Sequence, residues 1–310
     1  MRRYFGFLAD SDRWRSLPLR DDDIVISTPS KCGTTWTQTI VGMLLVGRAD
    51  LGAPLSELSP WLDMQIRTTD EVVARLEAQR HRRFIKTHTP LDGLPEHDSV
   101  TFLAVVRHPL DVALSDRDHG HNAAEALHDL RYAAVGNKDL DELAPRVEPP
   151  DDPAEYLRWF IDSDLPPTGS GPNSLADFCQ QAAIAWARRD RPNVHLFHYE
   201  DLCADTDGEM RRIADALGIE VDADVWPTLV DAASIDAMRA RASEVAPDAQ
   251  HGIWHSDRDF FRRGGRRNWA DLLDADDLAH YGARLDELAG DAADWIRHGR
   301  RSLPIPKAPF

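Results

Sequence analysis

Residues 21–36 read Asp21-Asp22-Asp23-Ile24-Val25-Ile26-Ser27-Thr28-Pro29-Ser30-Lys31-Cys32-Gly33-Thr34-Thr35-Trp36. Ile24 to Thr28 is a short β-branched run of the kind a buried parallel strand gives. The loop Pro29 to Gly33 follows. Thr34-Thr35-Trp36 then opens a helix running to about Gly47, with Trp36, Ile40, Met43 and Leu44 recurring at helical spacing. A strand, a tight glycine-containing loop and a helix N-terminus make an anion site, because free backbone N–H groups and the helix dipole converge there. Lys31 adds a charge, and Thr34 and Thr35 add hydroxyl donors. The competing reading is a structural strand-to-helix turn with an exposed lysine. The loop lacks the Gly-x-x-x-x-Gly-Lys-Ser/Thr order, since Lys31 precedes Gly33, which counts against an ATP-dependent kinase.

Strand-loop-helix units repeat outward from this stretch. Arg83 to His88, Val100 to Arg107 and Val194 to Tyr199 read as three further strands. A helix begins over Asp111 to Asp118 after Pro109, and another lies around Gly208 to Leu217, stopping at Gly218. The alternation predicts a single α/β domain over 1–310, with a mostly parallel central sheet flanked by helices around a P-loop-like anion-binding core. Ligands of such sheets sit at the carboxyl edge, where Lys86, His88 and Arg107 fall. Residues 1–20 read as an arm with an aromatic cluster (Tyr4, Phe5, Phe7, Trp14). Residues 136–173, rich in Pro, Gly and acid, read as an excursion over one face, part of a covering segment of about 116–173. Residues 240–263 combine little periodicity with aromatic and basic residues, as a lid does.

The chain has 310 residues, with 36 Lys or Arg against 53 Asp or Glu and a formal net charge of -17. This balance argues against nucleic-acid or anionic-membrane binding, so a polyanionic ligand needs a local basic pocket. No run of 18 apolar residues exists, so neither a transmembrane helix nor stable membrane insertion is expected. The start has no apolar signal-peptide core, so no signal peptide is expected. Three scattered cysteines, Cys32, Cys179 and Cys203, suit the cytoplasm and give no disulfide framework or zinc pattern. Only four lysines occur (Lys31, Lys86, Lys138 and Lys307), and two of them follow expected buried strands. In a chain that uses Arg almost everywhere, a Lys there points to a chemical requirement.

Three more clusters carry chemistry. In Lys86-Thr87-His88-Thr89-Pro90, Lys86 and His88 are two apart on a strand and project to one side, offering a cation and a base. On its own, a strand-end His is more often structural. Val105 to Ser115 puts Arg107 at a strand end and Ser115 in the next helix, both able to donate to a phosphate. Arg262-Arg263-Gly264-Gly265-Arg266-Arg267-Asn268-Trp269 is a positive spot in an acidic chain, which in isolation reads equally as a solvated basic turn.

These elements, in this order, resemble the cytosolic-type sulfotransferases that use 3′-phosphoadenosine 5′-phosphosulfate (PAPS), over roughly Trp14 to Trp269. Residues 21–36 are similar to the family's 5′-phosphosulfate loop, and 84–90 to its Lys-Thr-His segment. Residues 105–115 resemble its 3′-phosphate strand and helix, 195–202 the segment after the fourth strand, and 260–269 its late Arg/Gly loop. The resemblance implies that Lys31, Cys32, Gly33, Thr34 and Thr35 form the 5′-phosphosulfate loop. It implies that Trp36, Tyr199 and Ser234 contact adenine, and that Arg107, Ser115, Arg262, Arg263 and Gly264 bind the 3′-phosphate. His88 would deprotonate the acceptor, while Lys86 and Lys31 stabilise charge on the sulfuryl group and leaving phosphate. The implied reaction moves a sulfuryl group from PAPS, as co-substrate without a metal, to a hydroxyl acceptor: a phenol, alcohol or glycolipid. A non-catalytic nucleotide-binding relative is the rival.

Some positions depart from the family pattern. Ser30 stands for a Pro, Cys32 for a Ser, and Ala233 and Ile235 replace a Thr and an adenine-stacking Phe. The family's usual C-terminal dimer motif is not visible, so the oligomeric state stays open. Cys32 beside a cationic helix N-terminus would have a lowered pKa, although simple replacement of Ser accounts for it too. His119 and His121 are two apart on a helix and face different ways, which favours a surface reading over a metal site. Phe7, Trp61, Trp159, Phe160 and Trp254 are the aromatic candidates for an apolar acceptor pocket.

Overall fold

The β-branched runs become strands because each can bury both faces. In the computed structural model, β1 (Ile24–Ser27), β2 (Phe84–Thr87), β3 (Thr101–Val106) and β4 (Val194–His198) form one all-parallel sheet in the order β2-β1-β3-β4. Ser27 pairs with Thr87 on one side and Ala104 on the other. Residues 1–143, 147–165, 167–246, 251–257 and 268–302 are described here.

Side-chain alternation splits the core between the two sheet faces. Val25, Ile85, Phe102, Ala104 and Leu196 pack with Leu157, Phe160, Phe178, Leu285 and Trp295. Ile24, Ile26, Phe84, Leu103 and Phe197 pack with Ile40, Met43, Met210, Ile213 and Leu229. The covering helices are α1 (Thr34–Val46), α2 (Pro109–Asn122), α3 (Leu175–Trp186), α4 (Thr206–Leu217) and α5 (Ala275–Ala289). Pro109 at the first turn starts α2, since its missing N–H costs nothing there. Asp205 caps α4 by accepting from Gly208 N at 2.9 Å, and left-handed Gly218 ends it.

The strands end where the sequence turns polar. Thr28, His88, Arg107 and Tyr199 each lie just past a strand, so all four crowd the carboxyl edge. The Pro-rich excursion contains more regular structure than its composition suggests. Asp152 accepts from Ala154 N and Glu155 N, Pro153 takes the first helical turn, and a helix over Pro153–Asp162 buries Tyr156, Leu157, Phe160 and Ile161. Within the segment read as an excursion, an acid followed by Pro is a helix start.

At the opposite edge Asp23, last of the acidic run, is buried with Arg83. Its Oδ1 accepts from Arg83 Nε at 2.8 Å, and its Oδ2 accepts from Arg83 Nη2 and from Arg20 N. Removing one partner strands the other charge in the interior, which typically costs ~3–5 kcal/mol. Asp23→Ala is therefore expected to lower unfolding stability in urea by about 3–5 kcal/mol, and adding Arg83→Met should recover part of the loss. A loss under about 1 kcal/mol, the range of an exposed pair, would show that the pair does not hold the β1–β2 edge.

Candidate active site

The loop after β1 turns on two left-handed residues, Lys31 (φ 63) and Gly33 (φ 85). Gly33 is the N-cap of α1 and brings no side chain to the first-turn N–H groups. A Cβ there would meet Tyr199 Cδ2 at 2.8 Å, so glycine is needed for both conformation and space. Tyr199 packs edge-on against Trp36, with ring centroids 5.4 Å apart, and the Arg107 guanidinium lies 4.5 Å from the Tyr199 ring. Trp36 Nε1 donates to Ala233 O at 2.8 Å. Arg107 Nη1 donates to Lys31 O at 3.3 Å, while its buried Nε has no hydrogen-bond partner among the described residues. An uncapped helix start beside a partly unsatisfied buried guanidinium fits an anion.

The end of β2 is held by hydroxyl groups. Buried Asp63 accepts from Thr87 Oγ1 and Thr89 Oγ1, and Ser27 Oγ donates to Thr89 O at 2.8 Å. This fixes Lys86 and His88 on one side, as their spacing predicts, against Trp61. Lys86 Nζ lies 4.0 Å from the centre of a Trp61 ring, and the His88 ring meets Trp61 edge-on at 4.7 Å. Gln181 Nε2, on α3, donates to His88 O at 3.1 Å.

His88 Nδ1 lies 2.9 Å from Thr28 O. A carbonyl only accepts, so Nδ1 carries the proton and Nε2 keeps the lone pair. Burial pulls the His88 pKa down to about 3, with Lys86 and then Lys31 adding to the shift against the Thr28 hydrogen bond. Asp116 moves the opposite way, its carboxyl pushed up to about 6 by burial while Lys31 pulls it down.

A sulfotransferase domain profile matches residues 21–292. This chain belongs to the sulfotransferase family. A glycolipid sulfotransferase of Mycobacterium bovis is 44% identical over 314 residues, 96% of this chain and 94% of that protein. A luciferin sulfotransferase of Photinus pyralis is 22% identical, covering 85% and 70% respectively. In fold, the chain resembles a mouse sulfotransferase complexed with PAP (TM-score 0.69, 18% identity, 98% of both chains). It also resembles retinol dehydratase in complex with androsterone and inactive cofactor PAP (TM-score 0.67, 21% identity, 92% and 88%).

In this sulfotransferase the carboxyl edge brings together Lys31, Gly33, Thr34, Thr35, Trp36, Lys86, His88, Arg107 and Tyr199. Ser115 is half-buried on α2. Ser234 is exposed and accepts from Ala237 N at 3.2 Å, capping the Ile235–Ala240 helix. Arg262, Arg263 and Gly264 lie outside the described residues.

Three expectations are corrected. The Cys32 side chain is fully buried in the core with Val25, Val106 and Leu110, and burial pushes its thiol pKa up rather than down. The nearby cation is outweighed by the loss of water. Phe160 is likewise a core residue, with no exposure to offer an acceptor. His119 is no surface residue. Half-buried, it packs on Trp254 with ring centroids 4.6 Å apart and feels Lys31, Lys86 and His88 electrostatically.

A histidine with this surrounding stays neutral through the physiological range. NMR titration of the free protein should show the His88 ring unprotonated and flat from pH 8 to about 5, with protonation beginning only toward its pKa of about 3. A midpoint near 6.5, the unperturbed value, would show that burial and the two lysines do not act on it.

Proposed function

We propose that the chain transfers a sulfuryl group from PAPS to a hydroxyl of a glycolipid in the cytoplasm, with His88 as general base. The observation that carries the reading is the His88 ring: Nδ1–H is pinned on Thr28 O, leaving the lone pair on Nε2, in a ring that shares Trp61 with Lys86 and feels the charges of Lys86 and Lys31. PAPS, when bound, supplies the activated sulfuryl group. The first-turn N–H groups of α1, with Lys31, Thr34 and Thr35, would hold its 5′ end. Trp36 and Tyr199 would bound the adenine, with Ser234 at its edge. Arg107 and Ser115, joined by Arg262, Arg263 and Gly264, would take the 3′-phosphate. Cys32 would contribute its backbone only, its thiol being turned into the core.

The residues present suit the charges involved. Transfer is in-line, by analogy with phosphoryl transfer, with charge spread over the equatorial and leaving oxygens. Lys31 and Lys86 face those oxygens, and fixed cations in a site sheltered from water act strongly. His88 Nε2 takes the acceptor's proton as the new S–O bond forms and the bond to the leaving phosphate breaks. A base held near pKa 3 by burial, with Lys86 and Lys31 adding to the shift, regains part of its basicity when an anion offsets the two ammonium charges, so acceptor deprotonation follows donor binding. The sulfuryl group carries less charge than a phosphoryl group, and this reading assigns its stabilisation to the lysines without a metal. The 44% identical glycolipid sulfotransferase supports the choice of acceptor, and Trp61 and Trp254 supply an apolar surface for it.

His88→Asn keeps a group able to hydrogen-bond and removes the base. It should lower kcat by ~10²–10⁴-fold while thermal stabilisation by adenosine 3′,5′-bisphosphate persists. Near-wild-type kcat would refute the base assignment.

A further inference from the structure

His119 is an ionisable side chain at the same sheet edge for which the proposed mechanism has no use. It lies on α2 one turn beyond Ser115 and three residues beyond Asp116, so these three share one helix face. That face borders the site, because Asp116 responds to the charge of Lys31. Gly171 covers the same place, with a Cβ there falling 3.5 Å from Ser30 Cβ and 3.6 Å from Asp116 Oδ1.

The segment 251–257 holds His119 from the other side. Ala124 N donates to Ile253 O and His255 N to Asn122 O, each at 2.9 Å, and Asn122 exchanges two hydrogen bonds with the backbone of Ser256. This clasp sets Trp254 on the His119 ring. Trp254 and Trp61 belong to one apolar cluster with Leu8, Met64, Ile66 and Leu127. The site thus has two imidazoles, each against a tryptophan: His88 on Trp61 and His119 on Trp254. Burial, and then the charges of Lys31, Lys86 and His88, hold His119 well below the ordinary histidine range, so its ring is neutral with one donor and one acceptor nitrogen.

We infer that His119 is a specificity residue that hydrogen-bonds a second hydroxyl of the acceptor, beside the one His88 deprotonates, and so selects a sugar over a simple alcohol. A neutral imidazole can both give and accept a hydrogen bond, which matches a hydroxyl. The Asp116 carboxyl on the same helix face offers a further acceptor. Flanking tryptophans accept the apolar faces of a pyranose ring as readily as an aliphatic chain. The inference rests on the acceptor reading above.

The test uses two acceptors with the same tail, hexyl glucoside and hexan-1-ol, with the full chain and PAPS. Wild type should prefer the glucoside. His119→Phe, which keeps an aromatic ring on Trp254 and removes the nitrogens, should lower the glucoside-to-hexanol ratio of kcat/KM by about tenfold, the scale of one lost neutral hydrogen bond. The change should lie mainly in KM for the glucoside, and His119→Gln should restore most of the ratio. An unchanged ratio, an equal loss with both acceptors, or a wild type inactive on the glucoside would overturn the assignment. His88→Asn in the same assay reports separately on the base, since its loss acts on kcat for both acceptors and leaves their ratio standing.

Discussion

Two left-handed residues separated by one position, Lys31 and Gly33, turn the chain from β1 into α1 and aim backbone N–H groups at the open edge of the sheet. For Lys31 this conformation costs roughly 1–2 kcal/mol, a strain that surrounding structure must hold in place. Tyr199 and Arg107 supply the restraint. The tyrosine ring fills the space a Gly33 side chain would need, and Arg107 donates to the Lys31 carbonyl. The ends of β3 and β4 are thereby locked onto the loop after β1. Adding any side chain at position 33 would disturb all three.

The second requirement is electrostatic. A chain of net charge -17 gathers Lys31, Lys86 and Arg107 at one sheet edge and half-buries or buries all three. Burial, and then the charges of Lys31 and Lys86, depress both neighbouring histidines, and the three cations favour an anion at their centre. Packing supports the same arrangement, because the indole of Trp61 touches both Lys86 and His88, while Asp63 fixes the strand end that carries them. The charges of Lys31 and Lys86 and the position and protonation of the His88 ring are consequently coupled through one small cluster.

Much of this was legible in the sequence. Short, largely apolar runs closed by polar residues marked all four strands to within two residues, because parallel strands buried on both faces leave a mostly apolar signature. The Lys86–His88 spacing fixed their common side, since strand side chains alternate. What escaped depends on packing between distant segments. Nothing near Cys32 says that its thiol turns into the core. The inward orientation of His119 follows from the clasp by residues 251–257, over a hundred positions away. A signal did exist, for His119 lies four residues after Ser115 and therefore on the face already assigned to the ligand. In the excursion, Asp152-Pro153 belongs by composition to a Pro-rich, acidic stretch and by position is a cap.

The most direct measurement is a crystal structure of the chain with adenosine 3′,5′-bisphosphate. The 5′-phosphate should lie within hydrogen-bond distance of the main-chain N–H groups of Gly33 to Thr35, with adenine against Trp36 and the 3′-phosphate beside Arg107. A nucleotide bound elsewhere on the sheet, or one reversed so that its 3′-phosphate occupies the Lys31–Gly33 loop, would contradict this assignment.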